Sequence, residues 1–295
     1  MTNESKIRSV LVIGSGSMGW GILRTFAAAG FDAAVLSRNP DRLPALPSGA
    51  RAVSVLPAEP PDLIIESIPE VLELKVDFFR RLGAAYGDRP IVASNTSGLP
   101  LEELAAACGH PHRFIGIHYF HPADVAPLVE VIPVDDRDGS LVRRTVAALM
   151  QTGKEALVIK KPVAGFLVNR LQHAILHEAY HLIEEGIVSA EDVDKVAKRL
   201  FGPRMCITGL IEQKDISGLD THALAQQAIV PHLWHGAEPI RIVQEKYSRG
   251  DLGLKTGRGF YDWTGRDPGE VRKAVAERLA RLIEFLGSKN EPLHH

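Results

Sequence analysis

The sequence has little of several features that mark particular classes of protein. Its 295 residues include only two cysteines, Cys108 and Cys206, without a CxxC spacing, so no disulfide framework and no metal site are expected. No apolar run approaches the roughly 18 residues of a membrane span, and the N-terminal MTNESKIRS lacks a signal-peptide core. The net charge is −2, with lysine and arginine spread along the chain, which argues against nucleic acid as a partner. We therefore expect a cytoplasmic protein that binds a small molecule and neither membrane nor nucleic acid.

Short apolar segments alternate with helical patterns through the first half of the chain. Such alternation predicts a parallel sheet with helices on both faces. The fold class expected is α/β, with a doubly wound, Rossmann-like domain over residues 1–163. The predicted strands cover residues 9–13, 33–36, 63–65, 91–93, 114–117, 129–132 and 156–159, and the predicted helices cover residues 18–29, 72–86 and 140–152.

The pattern becomes helical after residue 163. A long helix is predicted over residues 165–186, a second opens at Ser189 and closes near Gly202, and an apolar stripe follows along residues 271–286. Residues 164–295 are thus predicted to form a helical substrate and dimerisation domain, because two-fold dimers are the commonest assembly. The chain ends in His294 and His295, which are either native residues or the remnant of a purification tag.

A glycine-rich motif follows the first predicted strand and opens the first helix. In a doubly wound fold this arrangement lets the chain turn tightly and lets a pyrophosphate approach the helix N-terminus. An ordinary glycine turn that caps a helix is the alternative. The motif predicts a dinucleotide site whose members are Gly14, Gly16, Ser17, Met18 and Gly19.

The end of the second strand carries the next cofactor signal. An acidic residue at that place usually binds the ribose hydroxyls, but here the sequence has Ser37 and Arg38. A hydroxyl and a guanidinium can bind a 2′-phosphate, which a carboxylate would repel. NADP is therefore favoured over NAD as cofactor, and a solvated arginine beside a turn serine is the alternative.

In the segment IHYFHPADVAPLVEVI, the first histidine, His118, lies twelve residues ahead of the one glutamate, Glu130. A histidine whose ring is held by a carboxylate can act as a general base. Taken singly, each residue also fits a plain structural role, as a half-buried histidine or a solvated strand residue. Together with the dinucleotide motif, the pair predicts hydride transfer from an alcohol.

At this point the sequence resembles the L-3-hydroxyacyl-CoA dehydrogenase family over almost its whole length. The segments that carry the resemblance occur in the family's order. They are GSGSMGWGI, IPEVLELKVDFF, SNTSGL, the His118 and Glu130 pair, GFLVNR at 165–170, GLDT at 218–221 and KTGRGFY at 255–261.

The resemblance implies a role for each matched residue. His118 would remove the alcohol proton while Glu130 holds its other ring nitrogen, and Ser97 and Asn169 would orient the substrate oxygen. The residues that the resemblance and the motifs place on the cofactor side are Glu70, Lys75, Asn95, His121 and Lys255.

Several departures from the family pattern bear on the substrate. His121 stands where the family usually has asparagine, and Gly98 replaces the second of two serines. Arg38 and Asp62 are separated by only 23 residues, a segment rich in proline. Acyl-CoA members of the family carry a long helical insertion at this place, which helps to hold CoA. Arg204 is a candidate partner for a substrate carboxylate, and a solvated arginine is the alternative.

These patterns predict an NAD(P)-dependent dehydrogenase acting on a 3-hydroxy acid or its thioester. The first alternative is a dehydrogenase of a carboxylated alcohol without CoA, similar to the L-gulonate and L-carnitine dehydrogenases. The second alternative is a cofactor-binding protein without catalysis, which would not need the His118 and Glu130 pair.

Overall fold

A computed structural model describes residues 6–287 of the chain, so the terminal histidines lie outside the described residues. These residues divide into two compact units, with the division between Arg170 and Leu171. The first unit is α/β and the second is helical, which confirms the predicted fold class.

The first unit is built on an eight-stranded sheet of order β3-β2-β1-β4-β5-β6-β7-β8. Neighbouring strands are parallel except β6 and β7, which are antiparallel. The strands are β1 (Ser9–Ile13), β2 (Asp32–Leu36), β3 (Ala50–Val53), β4 (Leu63–Glu66), β5 (Ile91–Ser94), β6 (Phe114–Tyr119), β7 (Leu128–Pro133) and β8 (Glu155–Val158). The helices of this unit are α1 (Ser17–Ala28), α2 (Leu72–Tyr86), α3 (Leu101–Cys108) and α4 (Ser140–Gln151), with short 3₁₀ turns at Pro40–Arg42 and Pro111–Arg113.

Alternate residues of the strands feed two hydrophobic cores, one on each face of the sheet. Val10 and Val12 of β1 belong to the core that α1 and α4 cover. Leu11 and Ile13 belong to the core that α2 and α3 cover. This alternation follows from the two-residue period of a strand, and it makes the central strands apolar on both faces.

Two details of the predicted sheet were wrong. β3 lies within the proline-rich connection between β2 and β4, where no strand was predicted, and it pairs in parallel with β2. Its four residues are only partly buried or exposed, so they lack the apolar run that marks the inner strands. The sheet is also not fully parallel, because a short loop after β6 returns β7 alongside it in the opposite direction.

The second unit contains seven helices in its described part. They are α5 (Val168–Glu184), which begins before the division, α6 (Ala190–Val196), α7 (Gly202–Thr208), α8 (Glu212–Ser217), α9 (Leu219–Ile229), α10 (Arg241–Ser248) and α11 (Pro268–Gly287). Ser189 caps α6 by accepting a hydrogen bond from the Asp192 N–H, as its position predicted. The predicted stop near Gly202 was wrong, since a π turn over Ala197–Phe201 leads directly into α7.

Candidate active site

His118 and Glu130 are cross-strand partners in the one antiparallel pair of the sheet. The register of β6 on β7 sets the two residues opposite each other. Their side chains meet with His118 Nδ1 2.7 Å from Glu130 Oε2, and both are buried. The twelve-residue spacing in the sequence therefore equals the stretch of β6, loop and β7 that brings Glu130 opposite His118.

The second oxygen of Glu130 is held by the N-terminus of α5. Glu130 Oε1 accepts hydrogen bonds from the backbone N–H groups of Leu167 and Val168, each at 2.9 Å. The turn before them has positive φ at Gly165 and Phe166, at 76° and 51°. Burial raises the pKa of Glu130, but the hydrogen bonds from His118 and from the two amides outweigh it, so the pKa lies below its ordinary value. Glu130 is thus a fixed, ionised carboxylate at neutral pH.

Two aromatic rings enclose the His118 imidazole. The ring centroids of Phe120 and Phe166 lie 4.6 Å and 5.5 Å from that of His118. The contacts hold the ring plane, and the hydrogen bond to Glu130 occupies Nδ1. Nε2 has no hydrogen-bond partner within residues 6–287, and His118 lines a large cavity.

A second set of polar groups lies at the ends of β4 and β5. Glu70 Oε1 accepts hydrogen bonds from the Ser97 N–H at 2.8 Å and from the Thr96 hydroxyl at 2.5 Å. Asn169 Nδ2 donates to the Ser97 carbonyl oxygen at 3.2 Å. Burial raises the pKa of Glu70, but the hydrogen bonds from Thr96 and Ser97 and the nearby Lys75 ammonium lower it below its ordinary value. The backbone of Ser97 is thus held on both sides.

Lys75 lies beneath this set and is almost fully buried. Its ammonium contacts Glu66 Oε1 at 2.5 Å and Glu70 Oε2 at 3.2 Å. The resemblance places Lys75 on the cofactor side, where any effect would act through Glu70. Glu66 was missed by sequence reasoning, although an acidic residue that closes the apolar run LII is a signal of a buried, paired carboxylate.

The glycines of the motif differ in whether the protein's own packing requires them. Gly14 has a φ of 107°, and a Cβ there would lie 2.5 Å from the Ser67 carbonyl oxygen. A Cβ at Gly19 would lie 2.0 Å from the Gly14 carbonyl oxygen. Nothing lies within 4 Å of a Cβ built on Gly16, so the protein itself does not require glycine there. That open space is where a closely approaching pyrophosphate would need it.

The end of β2 presents its polar groups beside this loop. The Ser37 hydroxyl lies 3.3 Å from the Ser15 hydroxyl and accepts a hydrogen bond from the Asn39 N–H at 3.3 Å. Arg38 is exposed. In the described segment Ser37-Arg38-Asn39 after β2, no carboxylate stands where a ribose-binding acidic residue is usual.

One cavity of about 1300 Å³ brings most of the predicted site residues together. It lies wholly within the first unit. Its wall includes Gly14, Gly16, Ser17 and Met18 of the glycine motif, then Ser37 and Arg38, and then Glu70, Asn95, Ser97, His118, His121 and Asn169.

Five of the predicted residues lie outside that wall, and the first of them is Lys75, which is buried beneath Glu70. Glu130 is buried behind His118, and Gly19 packs against the glycine turn. Arg204 is an exposed residue of α7, and Lys255 is an exposed residue of the turn after α10; both belong to the second unit. Their predicted contacts with substrate and cofactor stay predictions.

Within residues 6–287 there is neither a cluster of metal ligands nor a membrane-spanning helix. No group of three or more histidine, cysteine, aspartate or glutamate side chains is arranged to bind a metal ion. None of the described helices is long and apolar enough to cross a membrane.

Two family models match the chain in succession. The 3-hydroxyacyl-CoA dehydrogenase NAD binding domain matches residues 56–162, and the 3-hydroxyacyl-CoA dehydrogenase C-terminal domain matches residues 165–263. The first match begins after the glycine motif, which the geometry above supports independently.

Related proteins of known name match most of the chain. A 3-hydroxybutyryl-CoA dehydrogenase of Bradyrhizobium diazoefficiens is 33% identical over 293 residues, covering 90% of this chain and 99% of that protein. The 5-formyl-3-hydroxy-2-methylpyridine 4-carboxylate 5-dehydrogenase of Mesorhizobium japonicum is 29% identical over 301 residues, covering 94% and 96%. A solved structure of an enzyme of the latter name, described as an NAD⁺-dependent dismutase, matches with a TM-score of 0.89 at 27% identity, covering 96% of this chain and 100% of that one.

Proposed function

The chain belongs to the 3-hydroxyacyl-CoA dehydrogenase family, and on that premise we propose that it oxidises a hydroxyl group of a small carboxylated compound with a nicotinamide dinucleotide. The observation that carries the proposal is the buried pair of His118 and Glu130 at 2.7 Å, facing a cavity that also holds the glycine motif. A non-catalytic cofactor-binding protein would have no use for this pair.

The residues around the glycine motif fit a dinucleotide. Gly14 is needed for the turn, whereas the open space at Gly16 leaves room for phosphates at the N-terminus of α1. A nicotinamide bound in this cavity supplies the acceptor for the hydride that leaves the substrate carbon.

His118 would remove the hydroxyl proton through Nε2. The proton on Nδ1 is donated to Glu130, so the free lone pair is on Nε2, and the imidazolium that forms is stabilised by the Glu130 carboxylate. The substrate loses one proton to His118 and one hydride to the cofactor, and its hydroxyl carbon becomes a carbonyl carbon. Glu130 is fully buried, so water does not compete with His118 for its carboxylate.

Ser97 and Asn169 would hold the substrate oxygen beside Nε2. The Ser97 backbone is fixed by Glu70 and by Asn169 Nδ2, which leaves the Ser97 hydroxyl and Asn169 Oδ1 without a protein partner among the described residues. Both residues line the cavity. We expect each to contact the substrate, because a fixed donor or acceptor loses little entropy when it binds.

NADP is the cofactor that Ser37 and Arg38 favour. A serine in place of a ribose-binding carboxylate removes the charge that would repel a 2′-phosphate, and the exposed Arg38 guanidinium borders the cavity. The NAD⁺ dependence in the name of the similar solved structure favours NAD instead. Arg38→Ala decides between them, because it should weaken NADP and leave NAD unchanged.

A substrate without CoA is favoured by the connection between β2 and β4. This connection holds a single 3₁₀ turn and β3, and no helical hairpin that could support CoA. The Mesorhizobium relative, named for a pyridine carboxylate, points in the same direction. The second candidate is a 3-hydroxyacyl-CoA, which the 33% identity to a 3-hydroxybutyryl-CoA dehydrogenase favours.

The test is a parallel measurement of NADH and NADPH formation. The panel would contain 3-hydroxybutyrate, 3-hydroxybutyryl-CoA, L-gulonate, L-carnitine and a hydroxymethylpyridine carboxylate. His118→Gln should lower kcat at least about 10²-fold on the best compound, while His112→Gln, at an exposed histidine of a 3₁₀ turn, should leave kcat unchanged. Near-normal turnover by His118→Gln would remove the mechanism. A kcat/KM for the CoA ester more than about 10³-fold above the free acid would return the chain to the acyl-CoA substrates.

A second copy of the chain is the partner that the helical unit favours. Within its described residues only Ala179 and Ile240 are buried, whereas Ile211 is 77% and Leu224 67% exposed. The predicted stripe on α11 includes Val275, which is 60% exposed. A unit that buries so little of its own apolar surface is typical of an obligate dimer.

Light scattering tests the dimer, since the protomer mass is 32.2 kDa. Ile211→Glu should dissociate it, because the new charge would be desolvated in the interface. Met150→Glu, at a residue of the first unit that is 64% exposed, is the control and should leave the dimer intact. A wild-type protein that elutes as a monomer would contradict the proposal.

A further inference from the structure

Three charged side chains, those of Glu66, Lys75 and Glu70, form a chain of contacts that ends at the Ser97 N–H. Lys75 is 1% exposed and bridges Glu66, which is fully buried, and Glu70, which is partly exposed. Lys75 also donates to the Ile68 carbonyl oxygen at 3.3 Å. A buried ammonium keeps its charge only if anions and acceptors surround it. Lys75 therefore depends on both carboxylates, and its position depends on where Glu66 lies.

Glu66 connects two loops that border the cavity. Its Oε1 accepts a hydrogen bond from the Ile68 N–H at 2.7 Å, which fixes the segment leading to Glu70. Its Oε2 accepts from the Ser94 hydroxyl at 2.7 Å, and that hydroxyl accepts from the Thr96 N–H at 3.3 Å. One carboxylate thus determines the separation of the loop after β4 from the loop after β5.

We propose that Glu66 is a positioning residue that sets the place of the Ser97 hydroxyl through Lys75, Glu70 and Ser94. The proposal rests on the function proposed above, because it assigns Ser97 to the substrate oxygen. Without the Glu66 charge, Lys75 is left with Glu70 as its one carboxylate partner. The ammonium would then draw Glu70 away from the Ser97 N–H, and the Ser97 hydroxyl would move with its backbone.

The matched control is Asp62, which directly precedes β4, whereas Glu66 ends it. Like Glu66, Asp62 connects neighbouring backbone segments, accepting hydrogen bonds from the Arg8 and Ser9 N–H groups at 2.8 Å and 3.0 Å. Its carboxylate contacts no residue of the cavity. Asp62→Asn therefore reports what the loss of a structural carboxylate does to stability alone.

Kinetics on the best compound of the panel give the first measurement. Glu66→Gln should lower kcat by about 10- to 100-fold, the scale of a displacement of roughly 1 Å at a reacting group. The KM for the cofactor should change less than kcat does, because Glu70 moves but the glycine motif is untouched. Asp62→Asn should lower Tm with kcat unchanged. Ser94→Ala, which removes the Oε2 contact and keeps the charge, should lower kcat less than Glu66→Gln does.

A double-mutant cycle separates positioning from general weakening. If Glu66 acts through Ser97, Glu66→Gln should cost little further kcat in a Ser97→Ala protein. The Ser97 amide proton in the NMR spectrum of the cofactor-free protein gives a readout that needs no substrate. Its resonance should shift upfield in Glu66→Gln, as the bond to Glu70 weakens, and should not shift in Asp62→Asn.

Two results would overturn the proposal. One is a Ser97 amide resonance that is the same in Glu66→Gln and in wild type. The other is a kcat loss that simply adds to that of Ser97→Ala. Either result with an inactive His118→Gln would leave the proposed function standing, whereas an active His118→Gln would remove that function whatever Glu66 does.

Discussion

Replacing Glu130 by glutamine tests the acid/base pair without changing its shape. Glutamine has one acceptor oxygen and one NH₂ group, whereas Glu130 uses both oxygens as acceptors. The backbone N–H groups of Leu167 and Val168 point at Oε1, so the glutamine oxygen would have to stay there. Its NH₂ group would then face His118 Nδ1 and force that nitrogen to accept a hydrogen bond.

The proton of the neutral His118 ring would consequently move to Nε2. A protonated Nε2 has no lone pair with which to remove the substrate proton. The general-base contribution of about 10²–10⁴ in rate would be lost, and a catalytic histidine held in the wrong tautomer loses about 10⁴ in the serine proteases. We therefore expect kcat to fall by about 10³-fold, equivalent to about 4 kcal/mol of barrier.

The assay is kcat at saturating cofactor for Glu130→Gln beside Glu102→Gln, which changes an exposed residue of α3. The folded fraction of each protein, followed by thermal unfolding, separates a lost base from a lost fold. The cofactor Kd should stay within about threefold of wild type, because Glu130 lies behind His118 and away from the glycine motif. A folded Glu130→Gln protein with more than about a tenth of wild-type kcat would refute the tautomer argument.

Three further predictions follow from the site. Gly14→Ala should destabilise the fold by about 2 kcal/mol or more, because it combines a positive φ with a clash. Gly16→Ala should cost less than about 1 kcal/mol of stability and raise the cofactor Kd at least about tenfold. Chemical unfolding measures the stabilities and fluorescence titration the Kd, and equal stability losses in the two variants would contradict the prediction. Arg38→Ala should weaken NADP by about 1.5–3 kcal/mol and leave NAD unchanged, and a wild-type preference for NAD by titration would show that Arg38 is a surface residue. The lowered pKa of Glu130 means that its ionised form stabilises the fold above the unfolded value of 4.5 and that this contribution is lost as the pH falls through the lower folded value. The stability difference between wild type and Glu130→Gln, measured by urea unfolding, should therefore narrow below pH 4.5, and a constant difference would contradict the assignment.

The sequence was sufficient for the parts of the fold that periodicity determines. The apolar strands β1, β4 and β5 and the helix α2 were predicted within a residue or two, because their patterns are continuous. β3 was missed because a short edge strand needs little apolar surface. The continuation of α6 past Gly202 was missed because glycine usually ends a helix, and the π turn before it has no simple sequence pattern.

The site divides in the same way. The contact of His118 with Glu130 and the demand for glycine at position 14 could be predicted from the sequence motifs and their order. The two backbone amides that bind Glu130 could not be predicted, because their position depends on a left-handed backbone conformation at Phe166, which L-residues rarely adopt. Glu66 was overlooked because its value lies in partners that are close only after β4 and β5 pair.

The antiparallel register of β6 on β7 has a consequence for how this protein can diversify. A one-residue slip of β7 would turn Glu130 to the other face of the sheet, so the contact of Glu130 with His118 is kept or lost together with the sheet itself. The connection between β2 and β4 lies on the far side of the sheet order from that pair, and it supplies Ser54, Val55 and Leu56 to the cavity wall. Changes in that connection can therefore reshape one side of the cavity while the contact of His118 with Glu130 stays the same.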